Sequence, residues 1–129
     1  MIRRIIAISL ITLPLFLFGQ TSGKLSGQVT DADGNELGEI GDFLLAYALD
    51  GELRGIGVPT LVPFGPYAGT YQFLTLIYSN ESSGETITFQ YYDYETDTVY
   101  DISESFEFIS DMTLGDIINP VMLNIATGI

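Results

Sequence analysis

Asp42-Phe-Leu-Leu-Ala-Tyr-Ala-Leu-Asp50-Gly51-Glu-Leu-Arg54-Gly-Ile-Gly-Val58-Pro59 is the stretch on which the fold turns. Two apolar runs flank Asp50-Gly51, and Asp-Gly between hydrophobic runs is one of the strongest short-range hairpin signals. Gly51 takes a positive φ without steric cost, so the turn can follow the twist of its strands. The spacing predicts strands over about 42–49 and 52–58. The first arm is apolar on both faces, with Phe43, Leu45 and Tyr47 opposite Leu44, Ala46 and Ala48, which suits a strand inside its sheet. In the second arm Gly55 and Gly57 share one face, where a missing side chain lets another backbone or a bulky group come close.

Working outward, the remaining sequence reads as further strands. Lys24–Thr30 alternates with period two, and Asp31-Ala-Asp-Gly-Asn-Glu36 is a turn that runs into an acidic, glycine-rich connection. Pro59–Gly69 holds three prolines and two glycines and predicts a loop carrying Phe64 and Tyr67. Tyr71–Ser79 is the most hydrophobic strand, with Phe73 and Ile77 on one face and Leu74, Leu76 and Tyr78 on the other. Thr86–Tyr92 pairs with Val99–Ile102 as a second hairpin, Glu104–Ile109 alternates again, and Pro120–Ile125 is a last, edge strand. About eight short strands, and no helical periodicity beyond the first residues, predict an all-β fold. The expected form is an antiparallel immunoglobulin-like β-sandwich, with a barrel as the alternative.

The chain begins with a cationic Met1–Arg4 and an apolar Ile5–Phe18, followed by Gly19. That is the layout of a secretory signal peptide, and about 14 apolar residues fall short of the ~20 that span a bilayer. Residues 1–19 are therefore expected to be a signal peptide and residues 20–129 a single domain. The product is expected outside the cell or at its surface, or in the periplasm, with no membrane insertion after cleavage. No Cys follows the leader, which excludes a lipidated mature N-terminus and disulfide staples.

From residue 20 onward Lys24 and Arg54 face 17 acidic residues, a net charge of −15. Such a surface repels nucleic acid and anionic membranes. The chain has no His and no Cys, which removes the Ser-His and Cys-His nucleophile systems, so no enzymatic activity is expected. Arg54 is either a structural ion-pair partner, with Asp42 and Glu52 the local carboxylates, or a reader of carboxylate or sulfate. Asp31, Asp33, Asn35 and Glu36 are candidate ligands for a calcium ion, which takes 6–8 oxygens, although Gly34 does not stand where an EF-hand loop needs its glycine. Tyr91, Tyr92 and Tyr94, with Gln90 and Asp93 and with Tyr100 across the hairpin, suit stacking on a sugar. Arg54, Phe64, Tyr67, Tyr92, Tyr94 and Tyr100 are thus the candidate ligand-binding residues.

The string Gly41-Asp42-Phe-Leu-Leu-Ala-Tyr-Ala-Leu-Asp-Gly-Glu-Leu-Arg54-Gly55 resembles a "gD-lLaAfv-dGE-RG" signature. Val62-Pro-Phe-Gly-Pro-Tyr67, Gly84-Glu-Thr-Ile-Thr-Phe89, Tyr92-Asp93, Val99-Tyr100 and Gly115 with Asn119-Pro120 are similar to the rest of that pattern. It is found in β-sandwich modules of large secreted proteins of Bacteroidota and related marine bacteria, often near type IX secretion sorting domains. The resemblance carries no established activity with it. The expected role of the whole chain is a non-catalytic module in adhesion or assembly, its partner a protein or a glycan at the cell surface. The alternative is a small-ligand binder such as a calcium-assisted carbohydrate-binding module.

Overall fold

The computed structural model describes residues 20–126, and the proposed leader, residues 1–19, lies outside them. The described residues form nine strands: β1 (Thr21–Thr30), β2 (Glu36–Leu37), β3 (Phe43–Ala48), β4 (Leu53–Leu61), β5 (Tyr71–Ser79), β6 (Ser83–Asp93), β7 (Thr98–Ile109), β8 (Thr113–Leu114) and β9 (Val121–Asn124). No helix among them is long and apolar enough to cross a membrane. The strands join in one curled sheet, in the order β2-β1-β5-β4-β3-β6-β7, with β8 and β9 added to β1.

The β3–β4 hairpin forms where Asp50-Gly51 predicts it. Gly51 N–H donates to Ala48 O at 2.9 Å, Ala48 N–H to Glu52 O at 2.9 Å, and Gly51 sits at φ +90°. The loop is thus a turn ending in a left-handed glycine, one residue longer than a two-residue Asp-Gly hairpin. As expected, β3 is an inner strand, between β4 and β6. Register slips at Ala46–Tyr47, where Ala46 faces Gly55 but Tyr47 faces Leu53, so Arg54 is the extra residue of a bulge.

β4 links the two halves of the sheet. Leu53–Gly57 pair with β3, and Val58–Leu61 pair with β5. Its passage past β5 needs the two glycines. A Cβ on Gly55 would overlap the carbonyl oxygen of Leu76, and one on Gly57 would overlap Thr75 Oγ1. β4 also runs on through Pro59, which the sequence places in a loop. Pro59 faces Phe73 in the register, at a stretch of β4 that has left β3, and a sheet tolerates proline where the ladder does not need its N–H. The connecting loop is accordingly 62–70.

Two further differences from the sequence reading concern long-range pairing. Residues 99–102 and 104–109 belong to one strand, β7, with extra residues at a bulge. Thr88 faces Ser105, but Gln90 faces Asp101. The short β2, which the sequence places in a connection, and the short β8 are strands because β1 offers them a free edge.

β9 runs parallel to β1, from Gly27 opposite Val121 to Thr30 opposite Asn124. Just past β9, Ile125 bridges Ile102 of β7, and Ala126 N–H donates to Asp101 O at 2.8 Å. The curled sheet is thereby tied to itself. The main core lies inside the curl: Leu25 and Val29 from β1, Leu44 from β3, Phe73 and Ile77 from β5, Ile87, Phe89 and Tyr91 from β6, Phe108 from β7 and Leu123 from β9. Phe73 meets Tyr91 edge-on at 5.8 Å, an arrangement the ring quadrupoles favour. A second cluster covers the outside of β3 and β6, where Leu45, Leu53 and Tyr92 are buried by Phe43, Tyr47, Ile56 and Val99.

Candidate functional site

Arg54 is buried by its bulge and held by two carboxylates. Nη1 meets Glu52 Oε1 at 2.6 Å and Nη2 meets Glu85 Oε2 at 2.8 Å. Glu85 Oε1 in turn accepts from Ser79 Oγ at 2.8 Å. Both terminal nitrogens of the guanidinium are thus taken up by the protein itself, while its buried Nε–H has no partner among the described residues. Of the two local carboxylates, Glu52 pairs with it and Asp42 does not. Glu85, 31 residues away, is the partner that local reading of the sequence misses.

Asp42 has a different task. Its buried carboxylate accepts from Glu39 N–H at 3.0 Å, from Tyr94 N–H at 2.9 Å and from the Tyr91 hydroxyl. It locks the 38–42 connection onto the β6–β7 turn. Burial, then the hydrogen bond and negative charge of Asp42, push the Tyr91 hydroxyl far above the ordinary tyrosine range. Burial alone raises that of Tyr47.

The acidic turns come together at one end of the curl. Asp31, Glu36, Glu39, Asp42, Asp93 and Glu95 line a pocket of about 420 Å³, with Tyr91 and Tyr100 in its wall. The carboxylates of Asp31, Glu36, Asp42 and Asp93 are already engaged within the protein. Asp31 Oδ1 accepts from Asp33 N–H and Asn35 N–H, each at 2.9 Å, and the Asn35 N–H is the main reason its carboxyl titrates below the usual range. Glu36 Oε2 accepts from Gln28 Nε2 at 2.8 Å, and Asp93 accepts from Glu95 N–H at 3.1 Å and the Thr96 hydroxyl at 3.0 Å. Asp33 and Asn35 are exposed, and Asn35 Nδ2 donates back to Asp31 Oδ2 at 3.3 Å. Among the described residues no group of three or more acidic side chains stands where it could hold a metal ion. These turns are closed by ordinary Asx geometry.

The candidate aromatic residues do not gather. Tyr91 and Tyr92 point to opposite faces, as alternation predicts, and both are buried, Tyr91 in the main core and Tyr92 in the second cluster. Tyr92 stacks on Phe43 at 6.2 Å and donates to Asp97 Oδ1 at 2.6 Å. Tyr100 faces Tyr91 across the hairpin. Tyr94 and Phe64 are exposed, and Tyr67 is half-buried on the 62–70 loop. That loop is tied down: Val62 is buried and exchanges backbone hydrogen bonds with Gly69 and Thr70 at 2.9 Å each.

Two surfaces remain that the structure assembles from distant parts of the chain. One is the outer face of β1, β5 and β4. Its rows are Ser22 beside Tyr78, Lys24 beside Leu76, and Ser26 beside Leu74 beside Val58. Val58, Leu74 and Leu76 keep 50%, 44% and 46% of their surface exposed. None of these residues is acidic. The face ends where Gln28 and Gln72 are covered, Gln72 Nε2 donating to Ile117 O at 3.2 Å and Gln28 Nε2 to Tyr71 O at 3.3 Å. The other surface is a groove beside β6 on the opposite half of the sheet, lined by Tyr47, Thr88, Gln90 and Asp101. Compared with known proteins, the chain matches no family model, no curated protein and no solved structure.

Proposed function

We propose that this chain is an exported, non-catalytic module of immunoglobulin-like β-sandwich type that serves adhesion or assembly outside the inner membrane. The outer face of β1, β5 and β4 is its docking surface, and a second copy of that face is its first partner. The observation that carries the reading is the segregation of charge: 17 carboxylates are spread over the chain, yet the outward rows of these three strands hold none and instead expose Val58, Leu74 and Leu76. Two chains this acidic repel one another through most of their surfaces. The acid-free face is where like-charged copies can meet and remove apolar surface from water.

Export is supported by the cationic-then-apolar composition of residues 1–19. A sandwich is supported by the core that lies between the two halves of the curled sheet. The resemblance to secreted Bacteroidota modules points the same way. The face is only three strands wide, at about 4.8 Å per strand, which places it at the small end of protein interfaces. Association is therefore weak and reversible.

The test is light scattering on the purified exported chain, with a Leu74→Glu/Leu76→Glu variant beside it. Wild type associates as concentration rises. The variant stays monomeric and melts within a few degrees of wild type, since both side chains are half exposed. A wild type that scatters as a monomer wherever the variant does overturns the reading.

A further inference from the structure

The groove beside β6 owes its existence to the β7 bulge. Opposite Phe89, β7 carries extra residues between Asp101 and Ser105. Ile102 uses the slack to reach Ile125, and the Asp101 carbonyl accepts from Ala126 N–H at 2.8 Å. Bulges re-aim side chains in this way. What remains alongside is an open groove of about 470 Å³, bounded by Tyr47, Leu49 and the 49–51 turn on one side and Asp101 on the other, with Thr88 and Gln90 between them.

Its chemistry is specific. Gln90 Nε2 donates to Asp101 Oδ1 at 2.9 Å, and both side chains reach solvent. That bond takes up one Gln90 N–H and one Asp101 oxygen, so the pair keeps one amide donor and two acceptor oxygens for a ligand. One donor next to two acceptors is the complement of a pair of neighbouring hydroxyls. Tyr47 is half-buried, its ring packed against the second cluster and therefore held in place. A fixed aromatic ring beside convergent polar groups is the usual make-up of a site for a small polar ligand. No Lys or Arg lines the groove, and the chain has a net charge of −13, so a uronate, sulfate or phosphate group would be repelled.

We propose that this groove binds a neutral saccharide, the tyrosine ring lying against the apolar face of one sugar unit and the Gln90–Asp101 pair taking two adjacent hydroxyls. The site is on the opposite half of the sheet from the docking face, and the two proposals stand or fall separately.

The experiment is an amide-resolved NMR titration of the full exported chain with the neutral hexaoses of glucose, mannose and xylose, and with oligogalacturonate as the charged comparison. At least one neutral hexaose shifts the amides of Thr88, Gln90 and Asp101 together, and oligogalacturonate does not. Gln90→Ala weakens binding by about tenfold or more, a loss of roughly 1.4 kcal/mol per factor of ten, while its melting temperature stays that of wild type. Tyr47→Ala weakens binding likewise, and Gln90→Ala keeps the test decisive if the tyrosine variant unfolds. The proposal is overturned if no neutral hexaose moves these amides at high millimolar concentration, if Gln90→Ala binds as wild type does, or if the charged oligomer binds better.

Discussion

Arg54 is held at one end of the core by Glu52 and Glu85, and the cost of losing it falls mainly on Glu85, the more buried of the two carboxylates. Removing one partner of a buried pair strands the other charge. Arg54→Met is expected to destabilise the chain by about 3 kcal/mol, a fall in melting temperature of roughly 10 °C or more. Adding Glu85→Gln to that variant should restore part of the loss, because no buried carboxylate is then left unpaired. A melt of Arg54→Met that overlays wild type would contradict this account. Tyr91 supplies a second prediction. Its hydroxyl ionises in the unfolded chain near pH 10 but stays protonated in the fold, where burial and Asp42 oppose the charge. The folded state then holds more protons, so stability is fully present below about pH 10 and falls as pH rises above it, by about 1.4 kcal/mol per pH unit for this one group. Urea melts across the alkaline range should show at least that slope, since Tyr47 is raised as well, and Tyr91→Phe should make it shallower. At this scale the sequence shows that an isolated arginine inside an apolar hairpin needs a carboxylate, and Glu52 is legible beside it. Glu85 and the Asp42–Tyr91 pair are not, because both depend on strands that are distant in the chain.

The glycines of β4 show what an element can reveal before its neighbours are known. Two side-chain-free positions on one face of a strand imply a close approach, and β5 makes that approach at Leu76 and Thr75. The two sites differ in how they can yield. Gly55 faces a backbone carbonyl, which cannot rotate away, whereas Gly57 faces the Thr75 hydroxyl. Gly55→Ala is therefore expected to cost about 3 kcal/mol or more and Gly57→Ala about 1–3 kcal/mol, the usual range for overpacking. Thr75→Ala should relieve the second substitution and not the first. Chemical denaturation of the four variants measures this directly, and a Gly55→Ala chain as stable as wild type would show that β4 and β5 are not so close. The Asp50-Gly51 turn and the alternation of β5 and β6 are equally legible, because turn chemistry and period-two patterning are local. The β7 bulge is not. Nothing in Asp101–Ser105 itself marks the extra residues, and they are fixed by Ile125 arriving from the far end of the chain. The groove beside β6 was hidden for the same reason.

At the scale of the whole molecule, fold class and charge are properties of composition and can be read at once. The order of the strands is not. The parallel pairing of β1 with β9 and the tie between β9 and β7 join residues about a hundred and about twenty positions apart, and no local pattern specifies either. The same assembly collects Val58, Leu74 and Leu76 on one face with Lys24 and leaves the acidic residues elsewhere. The alternation of Tyr71–Ser79 shows that Leu74 and Leu76 share a face. Only the sheet order shows that this face is free of carboxylates. The measurement that tests the proposed docking face most directly is sedimentation of residues 20–129 over a series of salt concentrations, with Leu74→Glu/Leu76→Glu run alongside. Salt screens repulsion between acidic surfaces, the Debye length falling from about 30 Å at 0.01 M to about 3 Å at 1 M, and leaves apolar contact intact. Wild type should therefore associate more strongly as salt rises, while the variant stays monomeric. A wild type that is monomeric at every salt concentration, or a variant that associates equally well, would contradict the assignment of this face.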